Sequence, residues 1–325
     1  MRSQEIVVGN TMLVEVDGIY TKLECTNPCG SIKDRMVSYI LDKSESMGLL
    51  KPGMKVIEAT SGNTGIALSY YAKQRGYDVT IVMPENMTEE RKKIIKGLGA
   101  NLILCSEKGS FGEAVVIRDA LCAHDLSYFK LDQFSNPLNT ECHYTITGQE
   151  IMKQIKEHTS NPIDAFAAGV GTGGSLIGVA RSLKAVYPNV HIAAVEPSES
   201  AVMSGEEPGA HRIPGIGDGF IPEIVSGKNQ SIHELIDEVI CIPSNDARNA
   251  AQRICDDYNF CIGISSGANY LAAKKLSNRF KTVVTIFPDG ISLYESLGLS
   301  KEKGCPYEKS RINALLSYSH SCLIG

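Results

Sequence analysis

The chain contains no uncharged apolar run long enough to cross a bilayer. Its first residues, Met1-Arg2-Ser3-Gln4-Glu5, lack the apolar core of a secretory signal. Together these absences lead to the expectation of a cytoplasmic protein without membrane contact. No dense Lys/Arg segment stands out, and 32 basic against 37 acidic residues leave a formal net charge of −5, so nucleic acid is not an expected partner. Ten cysteines are scattered between Cys25 and Cys322, with no Cys-x-x-Cys pair and no Cys/His cluster at zinc spacing. No metal centre is expected, and without an export signal the thiols are expected to be reduced. Internal repeats and low-complexity segments are missing too. Cys322-Leu323-Ile324-Gly325 has the outline of a prenylation box, but glycine is not a usual final residue and no dense basic run precedes it, so no lipid anchor is expected.

What is present is an ordinary globular composition, 43% apolar and 21% charged over 325 residues, enough for one large or two medium domains. Short apolar runs alternate with helical patterns along most of the chain. Strands are expected between Glu5 and Glu24 with a turn at Asp17-Gly18, then a helix from Ile32 with Ser31 as its N-cap. Strand and helix alternate from Lys55 to Leu131. A loop at Asp132 to Asn139 separates this half from a second α/β half, in which Gly263 to Gly267 reads as a turn. Such alternation predicts parallel sheets with helices on both faces. The polar segment 301–325 has weak periodicity and is not assigned.

The chain's organising stretch is Ala59-Thr60-Ser61-Gly62-Asn63-Thr64-Gly65, which joins an apolar strand to a buried helix. Free backbone amides at a helix start, with the dipole behind them, make an anion site that short hydroxyl and amide side chains complete. The alternative is an ordinary helix cap with a glycine turn.

Two further motifs point elsewhere when read alone. Gly169-Val170-Gly171-Thr172-Gly173-Gly174 fits the dinucleotide fingerprint, with Glu196 ending the next strand. The same geometry serves any single phosphate. Gly263-Ile264-Ser265-Ser266-Gly267 fits a nucleophile elbow, followed by Asp289 and His320 in triad order, but no segment supplies an oxyanion hole. A strand–turn–helix junction explains it equally.

Lys33 falls in the first turn of its predicted helix. The dipole and Arg35 would lower its pKa and Asp34 would oppose them. A lysine with a lowered pKa can form a Schiff base. Such a lysine, an anion loop, a phosphate loop and a turn serine are the parts that hold pyridoxal phosphate and an amino acid.

At these residues the sequence resembles the O-acetylserine sulfhydrylase (cysteine synthase) and cystathionine β-synthase family. The blocks run from Gly9-Asn10-Thr11 to Tyr294. They include Asn27 to Arg35, Thr60 to Gly65, Gln133 to Pro137, Gly171 to Ser175, His211 to Phe220 and Gly263 to Ala268. The resemblance implies pyridoxal 5′-phosphate as cofactor and the tryptophan synthase β-like, type II fold: two doubly wound α/β domains with the active site between them. A smaller domain would span 36–140, and a larger cofactor-binding domain 1–35 plus 141–325.

It further implies Lys33 as the Schiff-base lysine, Asn63 against the cofactor's 3′ oxygen, Gly171, Thr172, Gly173, Gly174 and Ser175 around the phosphate, and Ser265 at the pyridine nitrogen. Thr60, Ser61, Thr64 and Gln133 would hold the substrate carboxylate. A hydroxyl partner stabilises a protonated ring less than a carboxylate would, which suits elimination of a β-leaving group better than transamination.

The implied activity is β-replacement on an activated serine, O-acetylserine and sulfide giving cysteine and acetate. A related enzyme using serine or O-phosphoserine with another thiol or amine is the alternative, and a catalytically quiet binding paralogue a third. A homodimer and a serine acetyltransferase partner are expected from the resemblance alone. Departures from the family pattern are Met12 and Ala201 where proline is usual, Gly109-Ser110-Phe111-Gly112 for Gly-Met-Lys-Gly, and Ile291-Ser292-Leu293 without the basic residue before Tyr294.

Overall fold

Asp17 and Gly18 both take left-handed backbone, with φ of 51° and 78°. That conformation matches the twist of two flanking strands and closes a hairpin between β1 (Leu13–Val16) and β2 (Ile19–Leu23). In the computed structural model, which describes residues 7–106, 111–226 and 232–300, this hairpin is the antiparallel edge of a larger sheet. The chain continues through α1 (Lys33–Ser46), β3 (Lys55–Ala59), α2 (Asn63–Gln74), β4 (Asp78–Pro84), α3 (Glu89–Gly97), β5 (Asn101–Cys105), α4 (Phe111–His124) and β6 (Tyr128–Lys130). After it come α5 (Pro137–Cys142), a π-helical turn at His143–Thr147, α6 (Gly148–His158), β7 (Ala165–Gly169), α7 (Gly174–Val186) and β8 (His191–Pro197). The last elements are β9 (Glu238–Ile242), α8 (Ser244–Tyr258), α9 (Ile264–Leu276) and β10 (Val283–Phe287).

Two sheets result. One has the order β5-β4-β3-β6 and is parallel throughout; the other has the order β1-β2-β10-β7-β8-β9 and is parallel apart from its hairpin. Strands such as Val283–Phe287, buried at every position, fit sheets covered on both faces. In the first sheet the chain winds outward from β3 through β4 to β5, then returns to place β6 on the other side of β3. In the second it winds from β7 through β8 to β9, then returns to place β10 on the other side of β7. Each reversal opens a crevice at the carboxyl ends of its strands, where ligands bind in open α/β sheets. The predicted class, doubly wound α/β, is therefore the observed one.

Two local expectations are corrected. The stretch read as a loop to Asn139 already contains α5 from Pro137; Asn136 caps it by accepting the Leu138 amide at 3.0 Å, and proline at the first helical position suits a helix start. Gly263 to Gly267 is not a turn but the first turn of α9. Gly267 lies inside that helix because a Cβ there would stand 1.9 Å from the Ala247 carbonyl of α8.

Cys29, Cys105, Cys122, Cys142 and Cys241 are free thiols, but Cys261 is disulfide-bonded, so the expectation of reduced thiols does not hold there. No helix among the described residues is long and apolar enough to cross a membrane. Gly109, Ser110, His320 and the whole 301–325 segment, with its Cys322-Leu323-Ile324-Gly325 box, lie outside the described residues.

Candidate active site

The two crevices face each other across one cleft, the usual place for a small-molecule site in such folds. Eleven of the twelve residues singled out from the sequence line it. From the first sheet's side come Thr60, Ser61, Asn63, Thr64 and Gln133. From the second come Lys33, Gly171, Thr172, Gly173, Ser175 and Ser265. Gly174 stands just behind: a Cβ there would meet the Asn139 carboxamide at 2.0 to 2.6 Å.

The phosphate loop is built by close packing. Gly173 has a φ of 82°, and a Cβ on it would lie 2.1 Å from Val225. Thr172 Oγ1 accepts the Gly174 amide at 3.3 Å and Asn139 Nδ2 at 3.0 Å, so its own proton is free for a ligand. The loop opens directly onto α7, whose first amides have no helical acceptor. Glu196, which a dinucleotide site would need, is buried and accepts from the Met203 and Ser204 amides and the Ser204 hydroxyl. It braces the segment after β8 and is not available to a ribose. The nucleophile-elbow reading gains no support, and its His320 lies outside the described residues. Asp289 is engaged by Asn63 and Tyr294, and not by a histidine among the described residues.

Lys33 is the first residue of α1, with its amide donating to Ser31 Oγ at 3.2 Å. Burial lowers the pKa of its side chain, while the carboxylates of Asp218 and Asp289 oppose the shift. No carboxylate among the described residues pairs with its ammonium. The sequence argument named the wrong neighbours. Arg35 turns away into a buried cluster with Glu24 and Glu150. Asp34 accepts the Cys29 and Ser31 amides at 2.7 and 3.2 Å and the Tyr71 hydroxyl at 2.7 Å, which fixes the loop preceding the lysine.

On the opposite wall the expected carboxylate-binding residues are partly engaged with one another. Thr64 Oγ1 donates to Gln133 Oε1 at 2.7 Å, and Gln133 Nε2 donates to the Ala59 carbonyl at 3.0 Å. Thr60 Oγ1 accepts the Gly62 amide at 3.0 Å. Donors that remain are the Thr60 and Ser61 hydroxyl protons, the second Gln133 amide proton and the α2 N-terminal amides. Glu58, buried beneath, accepts the Ala59 and Gln133 amides and pairs with Arg118 at 2.8 Å, so the loop after β6 is fastened to β3.

Asp289, Asp218, Arg91 and Phe111 also line the cleft. The sequence offers Asp289 only as a triad member, holds Asp218 inside a family block without a role and Phe111 at a family departure, and leaves Arg91 unmarked. Phe111, Phe134 and Phe220 cluster with ring centroids 5.0 to 6.4 Å apart, and the first two form one apolar side of the site.

These features fit pyridoxal phosphate. An unpaired, half-buried amine shares the cleft with a glycine loop closed to any Cβ, and Asn63 Oδ1 is buried with no partner among the described residues. Comparison with known proteins agrees. The model of the family described as pyridoxal-phosphate dependent enzyme matches residues 5–289. Cysteine synthase A of Escherichia coli (strain K12) is 41% identical over 312 residues, covering 90% of this chain and 94% of that protein. The crystal structure of cysteine synthase from Entamoeba histolytica superposes with a TM-score of 0.83 at 36% identity, covering 98% and 96% of the two chains. That of the O-acetylserine-dependent cystathionine β-synthase of Helicobacter pylori gives 0.83 at 31% identity, covering 90% and 97%.

Proposed function

Because the chain belongs to the pyridoxal-phosphate-dependent enzyme family, we propose that it catalyses β-replacement on an activated serine, converting O-acetylserine and sulfide to cysteine and acetate. One observation carries this reading. A desolvated lysine, a glycine-lined helix start and a hydroxyl-bearing loop converge on one cleft, in a chain alike over nearly its whole length to a cysteine synthase.

Bound pyridoxal phosphate supplies an electron-withdrawing ring that acidifies the substrate's Cα–H. Lys33 would hold the cofactor, and its neutral amine would take the substrate's Cα proton as acetate leaves Cβ with the bonding pair. Sulfide then adds at Cβ, and the Lys33 ammonium returns a proton to Cα. Low solvation keeps Lys33 neutral enough to act as a base. Gly171 to Ser175 would hold the phosphate through backbone amides and the Thr172 and Ser175 hydroxyls, Asn63 would hold the ring oxygen, and the neutral Ser265 hydroxyl the ring nitrogen. Thr60, Ser61 and the α2 amides take the substrate carboxylate, with Thr64 holding Gln133 in reach of it. Phe111 and Phe134 make one side of the cleft apolar and would limit water there.

Residues 36–140 form the smaller domain and 1–35 plus 141–325 the larger. In support, β3 to β6 fall wholly inside the first range and the remaining strands wholly inside the second. A homodimer, a cytoplasmic location and binding of serine acetyltransferase complete the reading; light scattering, fractionation and a binding assay with that enzyme test them in turn.

A second reading keeps the acetyl leaving group and replaces sulfide with an amino-acid thiol, as the name of the Helicobacter pylori structure describes for that protein. The deciding experiment adds O-acetylserine to the yellow protein, follows the visible band, then offers sulfide and homocysteine separately. Cysteine formed faster than cystathionine supports the first reading, and the reverse order the second. A band unmoved by O-acetylserine overturns both.

A further inference from the structure

Asn63 opens α2 and Asp289 follows β10, so the two side chains reach each other from opposite walls of the cleft. Asn63 Nδ2 donates to Asp289 Oδ2 at 2.7 Å, and the Tyr294 hydroxyl donates to the same oxygen. The Asp289 backbone is fixed too. Its carbonyl accepts the Gly263 amide at 3.0 Å, and it bridges to Ser31, two residues before Lys33. From α3, on the Asn63 side, Arg91 sets its guanidinium 4.8 Å from the Tyr294 ring centroid and donates to the Leu293 carbonyl at 3.4 Å. Gly62 lets it lie there, since a Cβ at that position would fall 2.1 Å from Arg91 Cδ. The contacts therefore cross the cleft from Asn63 to Asp289, pass to Tyr294 and return through Arg91. Asp289, Tyr294 and Arg91 are all buried.

Asp289 Oδ2 accepts from both Asn63 Nδ2 and the Tyr294 hydroxyl, so the Asn63 amide turns its nitrogen to Asp289. Its oxygen is then directed elsewhere, and it is one of the buried atoms with no partner among the described residues, as is Asp289 Oδ1. We propose that Asp289 is a positioning residue: it orients the Asn63 carboxamide against the cofactor ring and, through Tyr294 and Arg91, ties the two walls at that point. Asp289 acts through Asn63 and touches no reacting atom. The proposal rests on the cofactor reading above.

A double-mutant cycle tests it. Apoprotein of the parent, Asp289→Ala, Asp289→Asn, Asn63→Ala and both double variants is titrated with pyridoxal phosphate, following the visible band. Either Asp289 substitution weakens binding by roughly threefold or more in the parent and by less than about twofold when Asn63 is already alanine. The band position moves only in the first case. Asp289→Asn keeps the side chain's shape and reads the same coupling if the alanine variant does not fold. Equal factors in both backgrounds, or no loss in the parent, overturn the proposal. Failure of the unsubstituted chain to bind the cofactor would instead overturn the cofactor reading.

Discussion

Arg35 and Glu150 are joined by two parallel hydrogen bonds, Nη1 to Oε1 at 2.9 Å and Nη2 to Oε2 at 2.7 Å, although 115 residues separate them. The other edge of the same guanidinium is gripped by Glu24 at 2.6 and 2.8 Å. Lys22 joins from below, 2.9 Å from Glu150. The cluster pins α1, the helix that begins with Lys33, to α6 and β2.

Its first consequence is a dependence on pH. Burial alone would raise the Glu150 pKa, but the bonds and charge of Arg35, the Asn10 amide and Lys22 override it and hold the carboxyl at about 2. A folded-state pKa below the unfolded one gives stability that is fully present above about pH 4.5 and fades as pH falls toward the folded value. Glu150→Gln should cost on the order of 3 kcal/mol near pH 7 and progressively less below about pH 4.5. Urea unfolding of both proteins at several pH values checks this. A cost that stays constant with pH would show that the charge of Glu150 is not what stabilises the cluster.

Lys33→Ala should lower turnover by at least about a thousandfold while leaving the cleft able to bind the cofactor, since the helix-start phosphate site is untouched. Borohydride treatment followed by mass measurement should fix the cofactor to the parent chain and not to the variant. Normal turnover by the variant would remove Lys33 from its assigned role.

Asp218 works against the burial that lowers the Lys33 pKa. Its removal as Asp218→Asn takes away a charge that favours the ammonium, so Lys33 should lose its proton at lower pH. The acid limb of the kcat profile should move down accordingly. An unmoved limb would mean that another group sets it.

Gly174→Ala should weaken pyridoxal phosphate binding by roughly tenfold or more. The new methyl group displaces the Asn139 carboxamide, which at present donates to Thr172 Oγ1 and, at 2.8 Å, to the Gln133 carbonyl. Cofactor titration of the variant checks this, with circular dichroism confirming that it is folded.

The parts of this site that could be read from the sequence are those where neighbours in the chain are neighbours in space. The Thr60 to Gly65 and Gly169 to Gly174 loops each carry their own turn, amides and hydroxyls, so their chemistry is visible in six residues. The start of α5 was legible as well, in Asn136-Pro137, but the polar composition around it favoured a loop. Asp289 could not be found this way. It acts on Asn63, 226 positions earlier, and in the sequence it is one aspartate among the chain's 37 acidic residues. The pKa argument for Lys33 reached the right direction through the wrong charges, because a helix puts adjacent side chains on different faces. Burial, which dominates, is a tertiary property.

Strand β10, late in the chain, lies between β2 near its beginning and β7, with Val284 opposite both Tyr20 and Phe166. A ribosome therefore delivers the middle of the larger sheet after both of its flanks. The β3 to β6 strands are complete by Lys130 and need nothing later for their pairing. The Ile32 amide, one residue before the lysine, finds its acceptor only in the Pro288 carbonyl, at 2.8 Å. A nascent chain thus carries the Thr60 to Gly65 loop on a paired sheet long before Lys33 is seated. Pairings this distant in sequence are slow to form, so completion of the sheet by β10 is the natural last step in arming the molecule.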